Sequence, residues 1–416
     1  MNSKYKILKL ACYTTNISMS VVANLSPLLF ITFRSMYGIS YSLLGLLVLI
    51  GFSTQLSIDL IFSFFSHKFN IPKTVKFTPV LTVIGLIIYA LSPVIFPDSV
   101  YTGLVIGTVL FSSSGGLAEV LISPTIAAIP SKDPDSEMSK LHSLYAWGVV
   151  LVVVFSTVFL LIFGQENWQI LAFIFLLIPL FSSILFQKSE IPEMSTPEKV
   201  SGVFEQLKNK TIWLCVLGIF LGGSAECTMA QWASGYLEQA LGIPKIWGDI
   251  FGVALFAVAL GFGRSLYAKI GKNIERVLFM GAIGACVCYL ISALSPIPFI
   301  GLVACAFTGF CVSMLWPGSL IIASDRFPEG GVFIFALMAA GGDLGASVGP
   351  QLIGIVTDAV IETPILVNIS ETLSIAPEQF GMKMGMLIGA LFPLFAIPLY
   401  YSFLKNRKAK NKKLDI

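Results

Sequence analysis

Twelve runs of apolar residues partition this 416-residue chain. Each is close to the roughly 20 residues that a helix needs to cross a bilayer. They cover 10–33, 41–66, 75–96, 101–129, 140–163 and 168–187, then 211–239, 246–268, 275–294, 297–324, 331–361 and 380–404. The runs are continuous rather than alternating, which disfavours the strands of an outer-membrane barrel. A polar stretch separates the sixth run from the seventh. The chain therefore reads as a six-helix half over 1–187, a cytoplasmic linker over 188–210, a second six-helix half over 211–404 and a basic tail over 405–416. Only 12% of its residues are charged and 56% are hydrophobic, too little polar surface for a soluble enzyme of this length. The expected fold class is an all-α membrane protein with twelve transmembrane helices in two pseudo-symmetric halves.

The basic residues orient the spans. With the N-terminus inside and the helices alternating, all but three of the 26 Lys and Arg fall on the inner side; the exceptions are Arg34, Lys245 and Lys383. That asymmetry predicts both termini in the cytoplasm of a cell inner (plasma) membrane. Lys4, Lys6 and Lys9 precede an apolar run that reaches Phe33 without a small-residue cleavage pattern, so it reads as a retained first span. The seven cysteines form no C-x-x-C pair and read as packing residues. With two histidines, a His-rich metal site is not expected, nor any cofactor. H-E-x-x-H, G-x-S-x-G and phosphate-loop patterns do not occur, and the linker is too short for a catalytic domain, so the chain does not read as an enzyme.

Ionisable side chains inside spans are costly and mark function by default. Glu119 lies mid-span on a face with Ser112, Gly115, Gly116 and Ser123. An acid placed there can be charged or protonated near neutral pH, as proton coupling requires; the alternative is a protonated Glu bonded to a neighbouring helix. Asp59 shares the stripe Gln55–Asp59–Ser63 and suits either a coupling or substrate role or a pairing at a cytoplasmic gate. Glu226 follows Gly222-Gly223-Ser224 and precedes Gln231 and Trp232; it suits substrate or cation binding, or an inter-helix bond. Asp343 lies among Gly341, Gly345 and Gly349, whose common face admits a close helix neighbour, with Pro350 as a possible hinge. Arg264, near a cytoplasmic end, either snorkels or pairs with an acid such as Asp325. Trp147, Trp232 and Trp316 sit well inside spans. Beside Asn24, Gln55, Glu226 and Gln231 they offer stacking faces and hydrogen-bonding edges that suit a sugar. Trp168, Trp213 and Trp247 fall at span ends, where interfacial belts form.

The halves share landmarks: Pro124 and Gly148 are spaced as Pro317 and Gly341 are. Such duplication is a feature of alternating-access transporters. The stretches 115–124 (GGLAEVLISP), 141–148 (LHSLYAWG), 222–226 (GGSAE) and 341–350 resemble the major facilitator superfamily, and within it the fucose–glucose-type sugar–proton symporter branch. That resemblance implies a proton symporter of a small polar solute, most like a sugar, with Glu119 as the coupling acid. It also implies a monomer whose partners are its solute, protons and the lipid bilayer, with no nucleic acid. Bending would come from Gly148, Gly341 and Pro350. Two features depart from the branch: Val22 to Pro27 carries no acid, and His67 stands where the superfamily's loop signature has Asp. An uncoupled or Na⁺-coupled permease and an exporter are the competing transport readings; a membrane-embedded receptor or enzyme is the reading of another class.

Overall fold

The computed structural model describes residues 5–65, 68–130, 134–192, 208–270, 273–327 and 331–414. Most of the linker lies outside these residues. So do the expectation placed on His67 and those resting on the side chains of Ser63, His142 and Ser143. Among the described residues every regular element is helical. A segment in hydrocarbon must satisfy its backbone hydrogen bonds within itself, and a helix does so.

In chain order, α1 is Lys6–Leu28 with a continuation Phe30–Tyr37 bent by 47°. The bend follows Pro27, which removes one backbone donor. Then come α2 (Tyr41–Phe65), α3 (Ile71–Ala90), α4 (Val100–Ala127), α5 (Pro134–Phe163) and α6 (Trp168–Gln187). The second half has α7 (Lys210–Gln239), α8 (Lys245–Ile270), α9 (Ile274–Leu294), α10 (Pro298–Val312 and Leu315–Arg326), α11 (Gly331–Glu362) and α12 (Pro377–Gly389 and Leu391–Leu414). A short helix, Pro364–Thr372, occupies the long loop before α12. Ten of these helices are long and apolar enough to span a membrane, the bent α1 makes eleven, and α5 contributes the shorter apolar segment Trp147–Phe163. Local chemistry sets several starts. Asn70 accepts from the Lys73 N–H at 3.1 Å with Pro72 in the first turn, and Asn209 accepts from the Thr211 N–H at 2.9 Å.

The chain divides into two compact units. One comprises 1–39 and 50–199, the other 40–49 and 200–416. The first ten residues around the start of α2 thus group with the C-terminal unit, whereas the sequence reading put all of α2 in the N-terminal half.

Within each unit glycines bring matching helices together. In the first, α5 meets α1 where a Cβ on Gly148 would stand 2.0 Å from Ser20 Oγ. In the second, α11 meets α7 along Gly341, Gly345 and Gly349. A Cβ on Gly345 would reach 2.1 Å from the Phe220 carbonyl oxygen, and one on Gly349 2.3 Å from Thr228 Oγ1. Helix α11 runs without interruption through Pro350. Trp168 is not an interfacial anchor: it is fully buried and donates to Tyr37 Oη at 3.0 Å. Trp213 and Trp247 are exposed.

At the start of α5, outside its apolar segment, Glu137 accepts from the Tyr13 hydroxyl and pairs with Lys9 at 3.2 Å and Lys140 at 3.8 Å. The Tyr13 hydrogen bond, aided by the two lysines, holds the Glu137 carboxyl below its ordinary 4.5.

Two outcomes follow from this packing. Gly345→Ala should lower the thermal unfolding midpoint, because a backbone oxygen cannot yield to the added methyl; the expected cost is about 1–3 kcal/mol. Gly261→Ala, where the added carbon meets nothing within 4 Å, should leave the midpoint unchanged or slightly raised. Glu137 has a folded pKa below its unfolded one, so its contribution is complete above the ordinary carboxylate value and disappears as pH falls below it. Glu137→Gln should therefore flatten the loss of stability on acidification in a pH series of melting curves.

Candidate functional site

The acid of α4 is built into a tight crossing with α2. Gly115 and Gly116 carry no side chain there, and a Cβ on Gly116 would stand 2.9 Å from the Gln55 carbonyl oxygen and 3.0 Å from Asp59 Oδ1. This approach brings the Gln55 amide to Glu119, and Nε2 donates to Oε2. Glu119 is exposed, and among the described residues no cation lies within ion-pair distance of it. Asp59, one turn from Gln55, is buried. Asn24, on α1, is half-buried and donates to the Ser20 carbonyl at 2.9 Å. Ser20 is also the residue on which Gly148 closes, and the adjacent Trp147 is 71% exposed. Glu119, Gln55, Asp59, Asn24 and Trp147 thus all belong to the first unit.

The second unit holds a different arrangement. Arg264 Nη2 donates to both carboxylate oxygens of Glu226, at 3.0 and 3.3 Å. Its Nε donates to the Ser313 carbonyl at 3.1 Å. That carbonyl is available for a covalent reason. Pro317, four residues on, has no N–H to bond back to it, and α10 breaks between Val312 and Leu315. An orphan backbone acceptor and a carboxylate together fix the guanidinium, which remains 43% exposed against 15% for Glu226. Trp316 is half-buried and packs across Gly223 and Gly342, where added Cβ atoms would stand 3.0 and 2.6 Å from its ring. Asp343 is buried beside Gly342. Glu226, Asp343 and Arg264 all lie within electrostatic reach of Cys227.

Three expectations change. Arg264 pairs with Glu226 across two helices, not with Asp325, which is exposed near the end of α10. Trp232 is not a substrate platform: it is fully buried, donates from its indole to the Pro350 carbonyl at 2.8 Å, and lies 6.0 Å ring to ring from Tyr41. Gln231 is buried as well. The face of α7 carrying these two residues is covered by neighbouring helices, whereas Glu226 lies on a different face. Two buried acids escaped the sequence reading. Asp249 sits in a π-helical turn over Gly248–Ala254 and pairs with Lys245 at 3.2 Å, and Lys245 also donates to Ser234 Oγ at 2.8 Å. Asp358 accepts two backbone N–H bonds from the start of α2. Both lie near the ends of apolar runs, where an acid is unremarkable in sequence. A cavity of about 730 Å³ on α8 and α10, lined by Trp247, Phe251, Phe299 and Phe307, is apolar and contains none of these acids.

In the first unit, then, an accessible carboxylate with no cation beside it among the described residues bonds a neutral amide; in the second, a carboxylate is neutralised by an arginine. No group of three or more metal-ligating side chains occurs among the described residues. Solved structures share the fold along nearly the whole chain. A bacterial homologue of the human lysosomal transporter Spinster, in an inward-facing and occupied conformation, is 15% identical with a TM-score of 0.72, covering 97% of this chain and 96% of its own. A D-xylose–proton symporter is 14% identical with a TM-score of 0.69 and coverages of 96% and 99%. The E. coli fucose:proton symporter FucP, in its outward conformation, is 16% identical with a TM-score of 0.56 and coverages of 94% and 99%. No curated protein matches the chain. The sequence model of the Major Facilitator Superfamily matches residues 11–350, and the chain belongs to that superfamily of membrane transporters.

Proposed function

We propose that this transporter carries a small polar solute, a sugar, by proton symport with alternating access, and that Glu119 is the residue that takes up and releases the proton. One contrast carries the reading. Glu226 has a fixed positive partner in Arg264, so its charge is compensated whether or not a proton is present. Glu119 is accessible, bonds the neutral amide of Gln55, and among the described residues has no cation within ion-pair distance. A carboxylate with no compensating cation is the one whose charge a proton must cancel before the site enters a low-dielectric environment. Two of the solved structures that share the fold are proton symporters, of xylose and of fucose, which supports the same reading.

The Gln55 bond then has a chemical task. A carboxylate accepts from the Gln55 N–H, whereas a protonated Glu119 can instead donate to the Gln55 oxygen after an amide flip, so the pair accommodates both charge states. Asp59, buried one turn away, is assigned to the same coupling region. Solute contacts are assigned to Asn24, Gln55, Trp147, Glu226 and Trp316, and Arg264 to holding Glu226 in place. A sugar's C–H face stacks on an indole, and its hydroxyls bond carboxylate and amide. Gly148, Gly341, Gly345, Gly349 and Pro350, with Asp343, serve packing and bending. On the distribution of Lys and Arg the protein is assigned to a cell inner membrane with both termini cytoplasmic, and on the family resemblance to a monomer.

Proteoliposome uptake tests the coupling. Glu119→Gln should abolish accumulation driven by a proton gradient and leave solute exchange near the unaltered level. Uphill accumulation by this variant, or accumulation driven equally by Na⁺, would overturn the proton assignment. A double-variant cycle tests the second unit. Glu226→Gln and Arg264→Gln should each lower the melting temperature. Together they should lower it by less than the sum, with a coupling of about 1 kcal/mol.

A further inference from the structure

Side chains take three of the free amides at the start of α2. A helix leaves its first four N–H groups without intrahelical partners, and the Leu44 N–H opens the ladder on the Ser40 carbonyl at 3.0 Å. The Leu43 N–H bonds Ser40 Oγ at 3.3 Å. Two more are taken by one side chain from α11: Asp358 Oδ1 accepts from the Tyr41 N–H at 3.1 Å, and Oδ2 from the Ser42 N–H at 2.6 Å. Asp358 is buried. Its negative charge sits at the positive end of the α2 dipole.

The surrounding contacts are close and lie within the second unit. A Cβ on Gly354 would meet the Tyr41 carbonyl oxygen at 2.3 Å, and one on Gly45 would meet the Gln351 backbone at 3.1 Å. Tyr41 packs against Trp232, whose indole is tied to Pro350. Residues 40–49 group with this unit while 50–65 group with the other, although α2 is one continuous helix. The polar part of the contact is thus held by backbone amides and one carboxylate, beside the ring packing of Tyr41 on Trp232.

We propose that Asp358 is a conformational latch: its two bonds hold Ser40–Leu49 on α11 in the conformer described here, and break when that segment separates from α11 in the transport cycle. This rests on the alternating-access part of the function proposed above, and not on the identity of the solute or ion. Asp358 thereby sets the balance between attached and detached conformers. A fixed helix cap would instead serve only to keep the first turn of α2 wound.

Hydrogen exchange of the full chain in lipid nanodiscs, read by mass spectrometry without solute or gradient, separates these roles. Asp358→Ala should raise amide exchange about tenfold over both 41–49 and 351–360, because the two surfaces part together. Adding Ser40→Asp, which supplies a carboxylate cap from within α2 itself, should leave that joint exposure in place. Exchange confined to 41–43, restoration of protection by Ser40→Asp, or no change at all would each overturn the latch. If Asp358→Ala does not fold, Asp358→Asn, which keeps one acceptor oxygen and loses the other together with the charge, should raise exchange over the same two stretches to a smaller extent; unchanged protection there also overturns the proposal. Because no substrate is present, a negative result leaves the sugar and proton assignments standing, and failed proton-driven uptake leaves the latch standing.

Discussion

A backbone amide in hydrocarbon has no water to bond, and most features of this chain follow from that constraint. It makes the spans helices. It also means that the places where helices end, break or lose a donor need chemistry of their own. The broken α10 frees the Ser313 carbonyl, and Arg264 fills the vacancy. The start of α2 exposes amides, and Asp358 fills that one. In both cases an ionisable residue does structural work, one that stands out in the sequence (Arg264) and one that does not (Asp358). The guanidinium at Ser313 is held in place by the same backbone defect that Pro317 creates.

Close helix approach is the second consequence. Among apolar chains in lipid, water drives no association between helices, so packing contacts and backbone proximity must supply it. Gly148 on Ser20 and Gly341, Gly345 and Gly349 on α7 are among the points where helices close on one another without room for a side chain. Gly116 does the same for α4 on α2, and it is this approach that carries the Gln55 amide to Glu119.

The helices were legible in the sequence because hydropathy and length suffice for them: the twelve runs recur as helices, with ends shifted by a few residues. The polar face of α4 was legible too, since Ser112, Gly115, Gly116 and Glu119 are related by helical spacing alone. What spacing within one helix cannot supply is its rotation against its neighbours. Trp232 and Glu226 both sit on α7, yet one is sealed against Pro350 and the other meets Arg264. Arg264 and Glu226 are 38 positions apart, and no periodicity links them. Asp249 and Asp358 were invisible for another reason. An acid at the end of an apolar run looks like an interfacial residue until the partner on a different helix is seen.

The arginine pair of the second unit has an electrical consequence. Glu226 and Arg264 cancel, so together they feel almost no force from a transmembrane voltage, which acts on net charge at about 2.3 kcal/mol per elementary charge per 100 mV. Glu119 has no such cation within ion-pair distance among the described residues. On the symport reading, the loaded carrier moves with that carboxyl neutral and the empty carrier returns with it negative. An inside-negative membrane potential then pushes the empty form outward and leaves the loaded step nearly untouched. On that reading, the division of labour between a compensated acid and an uncompensated one decides which half of the cycle the cell's voltage drives.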